Sequence, residues 1–374
     1  MERRLEPAIP GRGAQGADVP TRFGLATREV DGDWRDHMET LDGPPVKLRT
    51  QVTEERPRTI LSFNQSPDIA FDRSVNAYRG CEHGCVYCFA RPSHTFLGHS
   101  AGLDFERLLY AKKEAATLLR QELSKPSYQC EPIAIGVNTD AYQPLERKLC
   151  LTRKILEVLL ECRHPIYLIT KSSLIERDID LLQEFAKRNL LTAAVSLTTL
   201  DSKLAQLLEP RAAAPHRRLR TINTLADARI PVRVSMSPII PALNESEIEC
   251  VMQASAEHGA TMATCLLLRL PHELAVLFPE WLKEHYPMRC DRVLKAVRML
   301  RGDKQQGNSL NDSEFGQRFV GTGPRAELIQ RRFELACKRY GLAANREHNH
   351  LNTDLFRPPV SGNTGRQWDL FDLD

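Results

Sequence analysis

Three cysteines fall within eight residues of the stretch YRGCEHGCVYCFARPSH: Cys81, Cys85 and Cys88, spaced C-x3-C-x2-C. Thiolates are preferred ligands of zinc and of iron–sulfur clusters. A closed zinc site takes four protein ligands, so His83 or His94 would have to supply the fourth. A cuboidal four-iron cluster held at three corners instead leaves one iron open to a ligand that is not protein. Such an open position is what separates catalytic metal centres from structural ones. Three unrelated thiols on one loop is the remaining reading, and their local density argues against it.

The elements that must carry this loop alternate. A short strand from about 74 runs into the cysteines, and an amphipathic helix is expected over 104–124, stopped by Lys125-Pro126. Strands follow at 132–140, 165–173, 192–200, 231–240 and 263–271. Helices are expected between them at 146–163, 175–189, 216–229 and 244–259, and CDRVLKAVRMLRG provides a last one. Short apolar strands alternating with helices mark an α/β chain with a parallel sheet. Six such steps make either an open doubly wound sheet or a partial barrel, and periodicity does not choose. In both, chemistry gathers at the C-terminal ends of the strands, where the cysteine loop falls.

The organisation expected is a mostly irregular N-terminal extension over 1–60, rich in Gly, Pro and charge, a β/α core over 61–304, and a C-terminal segment over 305–374 with one helix at 325–341 and a polar, flexible tail. The 374 residues carry 51 basic and 48 acidic side chains, a net charge of +3 that neither advertises nor excludes nucleic acid. No apolar run approaches the ~20 residues of a membrane span, and the opening MERRLEPAIPGRGAQG lacks the apolar core of a secretory signal. A cytoplasmic location is therefore expected, where the ten cysteines stay reduced. Seven of them are scattered without cluster spacing, so one cluster is expected.

The cysteine spacing, with aromatic Tyr87 just before the last cysteine and a β-α series behind it, resembles the radical S-adenosylmethionine (SAM) superfamily over residues 74 to about 300. The stretches YRGCEHGCVYC, NTDAYQPLE, LITKSSLIERDIDLL, LEPRAAAPHRRL and SPIIPALNE are similar to the branch of spore photoproduct lyase and DNA repair photolyase-like proteins. The resemblance implies a partial (β/α)6 TIM-type barrel. It implies a [4Fe-4S] cluster on Cys81, Cys85 and Cys88, with SAM chelating the open iron and Tyr87 contacting that cofactor. It also implies reductive cleavage of SAM to a 5′-deoxyadenosyl radical, which abstracts hydrogen from a substrate, here a damaged DNA base. The alternatives are RNA, a peptide or a small molecule as substrate, or a non-catalytic metal-binding interaction protein.

Further contacts are expected at the strand ends. Thr139 and Asp140 either take hydrogen bonds from the SAM ammonium group or cap a helix. Lys171 and Ser172 meet the cofactor carboxylate or a substrate phosphate, or stay solvated. Ser196 and Thr198, alternate residues of one strand, line the cavity or are merely tolerated in it. Glu209 and Arg211 pair with each other or reach the ribose, and the arginines of PHRRLR (215–220) contact phosphate or form a solvated helix face. One departure stands out: spore photoproduct lyase-like enzymes carry a donor cysteine near the second-strand end, where this chain has Asn138, and Cys130 lies before that strand. An electron donor of the flavodoxin or ferredoxin kind is implied. In the final QWDLFDLD, Gln367, Leu370 and Phe371 resemble a bacterial sliding-clamp peptide, with a folded-back tail as the alternative.

Overall fold

A computed structural model of the chain describes residues 11–14, 49–301, 310–344 and 350–359. Ahead of the cysteine loop stand β1 (Gln51–Glu54), β2 (Leu61–Phe63), β3 (Arg73–Val75) and β4 (Tyr78–Arg79). Behind it come α1 (Leu103–Arg107), β5 (Leu108–Ala111) and α2 (Ala115–Leu123). The repeating part follows with β6 (Ile133–Ile135), α3 (Glu146–Leu149), α4 (Leu151–Glu161), β7 (Ile166–Thr170) and α5 (Ile179–Ala186). It continues through β8 (Leu191–Ser196), α6 (Ser202–Leu208), α7 (Pro215–Asp227), β9 (Val232–Ile239), α8 (Ile248–Glu257) and β10 (Met262–Leu267). The later elements are α9 (Leu274–His285), α10 (Cys290–Leu300), α11 (Pro324–Tyr340) and β11 (Ala343–Ala344).

One sheet runs in the order β11-β10-β9-β8-β7-β6-β3-β2, parallel throughout except that β2 is antiparallel to β3. Strands β3 and β6 to β10 are thus neighbours in chain order, the six parallel steps of a partial barrel. Among the described residues no pairing closes β11 onto β2. Strand β8 is buried at every position, as expected when helices cover one face and the barrel interior the other. The helices dock by one apolar stripe; in α4 it is Leu151, Ile155, Leu156, Val158 and Leu159.

Two local expectations are corrected. The helix expected over 104–124 is interrupted by β5, the middle strand of a small sheet ordered β1-β5-β4. Leu109 and Ala111 point inward and Leu108 and Tyr110 are half-buried, a period of two hidden in a helix-like stretch. Ladder partners at Gln51–Glu54 and Tyr78–Arg79 override the local helical preference. The helix expected over 146–163 is broken at Cys150, whose φ is +51°. There the buried Glu146 carboxylate accepts from Leu151 N (2.9 Å) and Thr152 N (3.1 Å), supplying the donors at the start of α4 with an acceptor. Helix α9 and strand β11 were not expected.

After α11, residues 350–359 pass under the N-terminal ends of the strands. Asn352 N donates to Asn189 O and Arg357 N to Cys162 O, each at 2.9 Å. Phe356 packs 5.5 Å from Tyr128 and 5.3 Å from His164, ring to ring. Gln367, Leu370 and Phe371 lie outside the described residues. No helix among the described residues is long and apolar enough to cross a membrane.

Candidate active site

The cysteine loop is held by its backbone, which leaves the thiols for ligation. Cys81 N donates to Phe105 O and Val86 N to Leu208 O, both at 3.0 Å, tying the loop to α1 and α6. The Arg91 guanidinium donates to Cys85 O (2.8 Å), Gly84 O (3.0 Å) and Gly102 O (2.9 Å). Its charge is met at 2.6 Å by Glu106, and both side chains are 0% exposed.

Cys81, Cys85 and Cys88 are free thiols, the first two buried and the third half-buried. Burial pushes the Cys85 thiol well up and Cys88 up as well, so thiolates here require positive charge beside them, which a metal supplies. Among the described residues no three His, Cys, Asp or Glu side chains converge tightly enough for a single ion. Of the two histidines offered as a fourth zinc ligand, His94 turns Nε2 to Leu108 O at 2.9 Å, and buried His83 lies between Asp140 Oδ2, 3.3 Å from its Nδ1, and Cys81. Three thiols spaced around one loop instead fit a cluster gripped at separate corners.

Around the loop, the strand-end residues fall into two groups. In the first, buried Glu209 accepts hydrogen bonds from Tyr87 Oη, from Arg218 Nη2 and, at 3.0 Å, from Thr198 Oγ1. Arg218 also donates to Ser196 O at 3.0 Å. Burial raises the Glu209 carboxyl, but Arg218 and Lys171 outweigh it and hold the group below its usual range. Lys171 Nζ sits 5.9 Å from the centre of the Tyr87 ring. Burial alone would depress this ammonium, yet Cys85 and Glu209 carry its pKa above the ordinary value.

The second group fixes the loop from the β6 side. Thr139 Oγ1 donates to Gly80 O at 2.7 Å, and Gln143 Nε2 donates to Thr139 Oγ1 at 3.0 Å. Asp140 accepts from Thr170 Oγ1 (2.6 Å), Tyr142 N (2.8 Å) and Lys171 N (2.8 Å) in addition to facing His83. Arg211 pairs with Glu82 at 3.0 Å, so Glu209 and Arg211 are not partners of each other. Ser172 caps the turn that follows β7, accepting from Leu174 N at 3.2 Å. Of the three arginines in PHRRLR, Arg218 is buried against Glu209 and Arg217 pairs with Glu176 at 2.6 Å. The reading of the sequence did not find Arg91, Glu106 or Gln143. Each stands among other polar or charged residues, so nothing local singles it out.

Beside the loop, arginines and phenylalanines interleave. Phe89, next to Cys88, is 50% exposed, and the Arg269 guanidinium just beyond β10 lies 5.9 Å from its ring and 5.2 Å from that of Phe319. Arg318 lies 4.7 Å from Phe319 and 4.9 Å from Phe315, which is 61% exposed. Arg318 is paired with Asp68, whereas Arg269 makes no salt bridge among the described residues. A cavity of about 190 Å³ opens at His83, Tyr142, Arg147, Ser172 and Arg211. A larger groove of about 490 Å³ at Glu245, Arg325 and Arg332 includes no residue of the cysteine loop.

Residues 75–254 match the family described as Radical SAM superfamily. An uncharacterized protein of Mycobacterium tuberculosis (strain H37Rv) is 34% identical over 242 residues, 63% of this chain and 71% of that protein. One from Methanocaldococcus jannaschii is 27% identical over 173 residues, 46% of this chain and 62% of its own. Among solved structures, spore photoproduct lyase complexed with dinucleoside spore photoproduct superposes with a TM-score of 0.57 at 13% identity, over 78% of this chain and 81% of that one. A mutant of the same enzyme with bound AdoMet gives 0.55 at 14% identity, over 80% and 82%. The fold is therefore that of spore photoproduct lyase. With three unpaired thiols on the loop after the first barrel strand, the chain belongs to the radical SAM superfamily, whose cofactors are a [4Fe-4S] cluster and SAM.

Proposed function

We propose that this chain acts in the cytoplasm on a damaged base of DNA, in a repair-type hydrogen-abstraction reaction. A [4Fe-4S] cluster held by Cys81, Cys85 and Cys88 would supply the one-electron reduction that cleaves SAM for hydrogen abstraction. A flavodoxin- or ferredoxin-like donor provides that electron. The chain's own residues bind and orient. Cys81, Cys85 and Cys88 hold the cluster, and Lys171 offers a cation to the SAM carboxylate. Tyr87, Ser196 and Glu209, buried beside the cysteine loop, face the cofactor, with Arg218 fixing Glu209. Thr139 and Asp140 position the loop and Lys171: Thr139 Oγ1 donates to Gly80 O and accepts from Gln143 Nε2, while Asp140 accepts from Thr170 Oγ1 and Lys171 N. Arg211 secures Glu82 at the loop's outer edge.

The observation that carries the substrate reading is the interleaved Phe89–Arg269–Phe319–Arg318 cluster beside Cys88. An aromatic face stacks an unpaired base with about 1–3 kcal/mol, and a guanidinium without a direct salt bridge suits a phosphate. The shared fold supports it, since the lyase is named for a nucleic-acid lesion. Its hydrogen donor is not carried over: Asn138 is exposed at the β6 end, and Cys130 lies at the opposite end of that strand. The test is anaerobic reconstitution with iron and sulfide, then SAM, dithionite and an ultraviolet-irradiated oligonucleotide, with 5′-deoxyadenosine read by mass spectrometry. Production stimulated by irradiated DNA and lost in Cys85→Ala is expected. Stimulation by RNA or a peptide but not by DNA would overturn the substrate assignment.

A further inference from the structure

Residues 11–14 are far from the barrel in sequence, yet they sit on the cysteine loop. Gly13 N donates to Glu106 Oε2 at 3.1 Å and Ala14 N to Glu106 Oε1 at 2.8 Å. Arg12 Nη1 donates to the Glu106 carbonyl at 2.8 Å. The same carboxylate holds Arg91, and Arg91 holds the carbonyls of Gly84 and Cys85. A continuous chain of hydrogen bonds thus links the N-terminal segment to the backbone of a cluster ligand.

The approach is so close that only glycine fits. A Cβ on residue 13 would lie 1.7 Å from Gly84 O, a backbone atom that cannot swing aside as a side chain would. Gly84 itself has φ +68°, and a Cβ there would lie 2.9 Å from Glu106 Oε2. Two glycines and a buried carboxylate therefore interlock. The carboxylate needs the two N–H groups of the segment, because a buried charge left short of donors is expensive.

We propose that residues 11–14 form a strap that positions the cluster-binding loop, with Gly13 as its point of fit and Glu106 and Arg91 as positioning residues that set the charge next to Cys85. This rests on membership of the superfamily and not on the choice of substrate. Paired, Glu106 and Arg91 are neutral together. Without the carboxylate, a buried guanidinium stands uncompensated against the Cys85 carbonyl, and nearby positive charge favours the more negative, reduced cluster.

The full-length chain, reconstituted anaerobically, tests this with Gly13→Ala, Glu106→Gln and Glu106→Asp. The readouts are the midpoint potential from an EPR-monitored titration, the rate of iron loss to a chelator, and the thermal midpoint. Glu106→Gln is expected to raise the potential, and Glu106→Asp to bring it back toward the parent. Gly13→Ala is expected to speed iron loss several-fold with far-ultraviolet circular dichroism unchanged. A lower thermal midpoint in Glu106→Gln at unchanged potential would reduce the pair to a structural role and overturn the proposal. Parental iron retention and EPR lineshape in Gly13→Ala would do the same for the strap. Should Glu106→Gln not fold, Gly13→Ala decides alone, because Gly13 lies outside every barrel element.

Discussion

Cys85 shows how a single side chain can be legible in sequence while its surroundings are not. Its spacing from Cys81 and Cys88 is local, so a string of letters reveals it, and Cys85→Ala should abolish both iron retention and 5′-deoxyadenosine formation. Arg218 is the opposite case. Within PHRRLR it looks like one cation of a solvated helix face, but α7 turns it inward against Glu209, 2% exposed. Only the fold brings residues 209 and 218 to face each other beside Tyr87 and Thr198, and nothing in either sequence neighbourhood announces that pairing. Removing one partner of a buried pair leaves the other charge uncompensated. Arg218→Ala is therefore expected to cost about 3–5 kcal/mol, read as a fall in the urea midpoint. A loss within about 0.5 kcal/mol, the range of a surface substitution, would show that Glu209 finds another partner.

At the scale of elements, the six parallel steps were readable because each strand is a short apolar run between amphipathic helices. The N-terminal sheet was not, since β5 exists only through partners 31 to 57 residues away, Gln51↔Leu108 and Arg79↔Tyr110 being examples. Long-range pairing also makes the face beside Cys88: β10 delivers Arg269, the cysteine loop delivers Phe89, and the segment after α10 delivers Phe315 and Phe319. If this face takes a DNA strand, its two chemistries should separate. Phe89→Ala is expected to weaken binding of a short single strand by about 1–3 kcal/mol with the salt dependence kept. Arg269→Ala should instead lower the slope of log K against log salt by roughly one contact's worth, about 0.7 for a single strand. Fluorescence anisotropy across a salt series distinguishes them. Equal salt slopes in the parent and Arg269→Ala would remove the phosphate contact from the reading.

On the scale of the whole molecule, the two ends of the barrel are built for different ends. The C-terminal ends of the strands hold the thiols and the polar network; the N-terminal ends are sealed by residues 350–359, where Phe356 closes on Tyr128 and His164. His164 is 0% exposed, with Nε2 2.7 Å from Tyr128 Oη and Nδ1 3.0 Å from Pro165 O. Burial lowers its pKa to about 4, with a smaller push from Arg73. The unfolded chain titrates this group near 6.5. Between those values the unfolded state binds a proton that the folded state refuses, so the stability His164 contributes is complete above about pH 6.5, declines as pH falls, and is gone below about 4. The full swing is roughly 3 kcal/mol. Carboxylates titrate over the lower part of the same range, so the measurement is the difference between parent and His164→Gln in urea unfolding at pH 7 and pH 4.5. The parent should lose more stability than the variant over that interval. Equal losses would mean that His164 opens to solvent and that the C-terminal seal does not keep it dry.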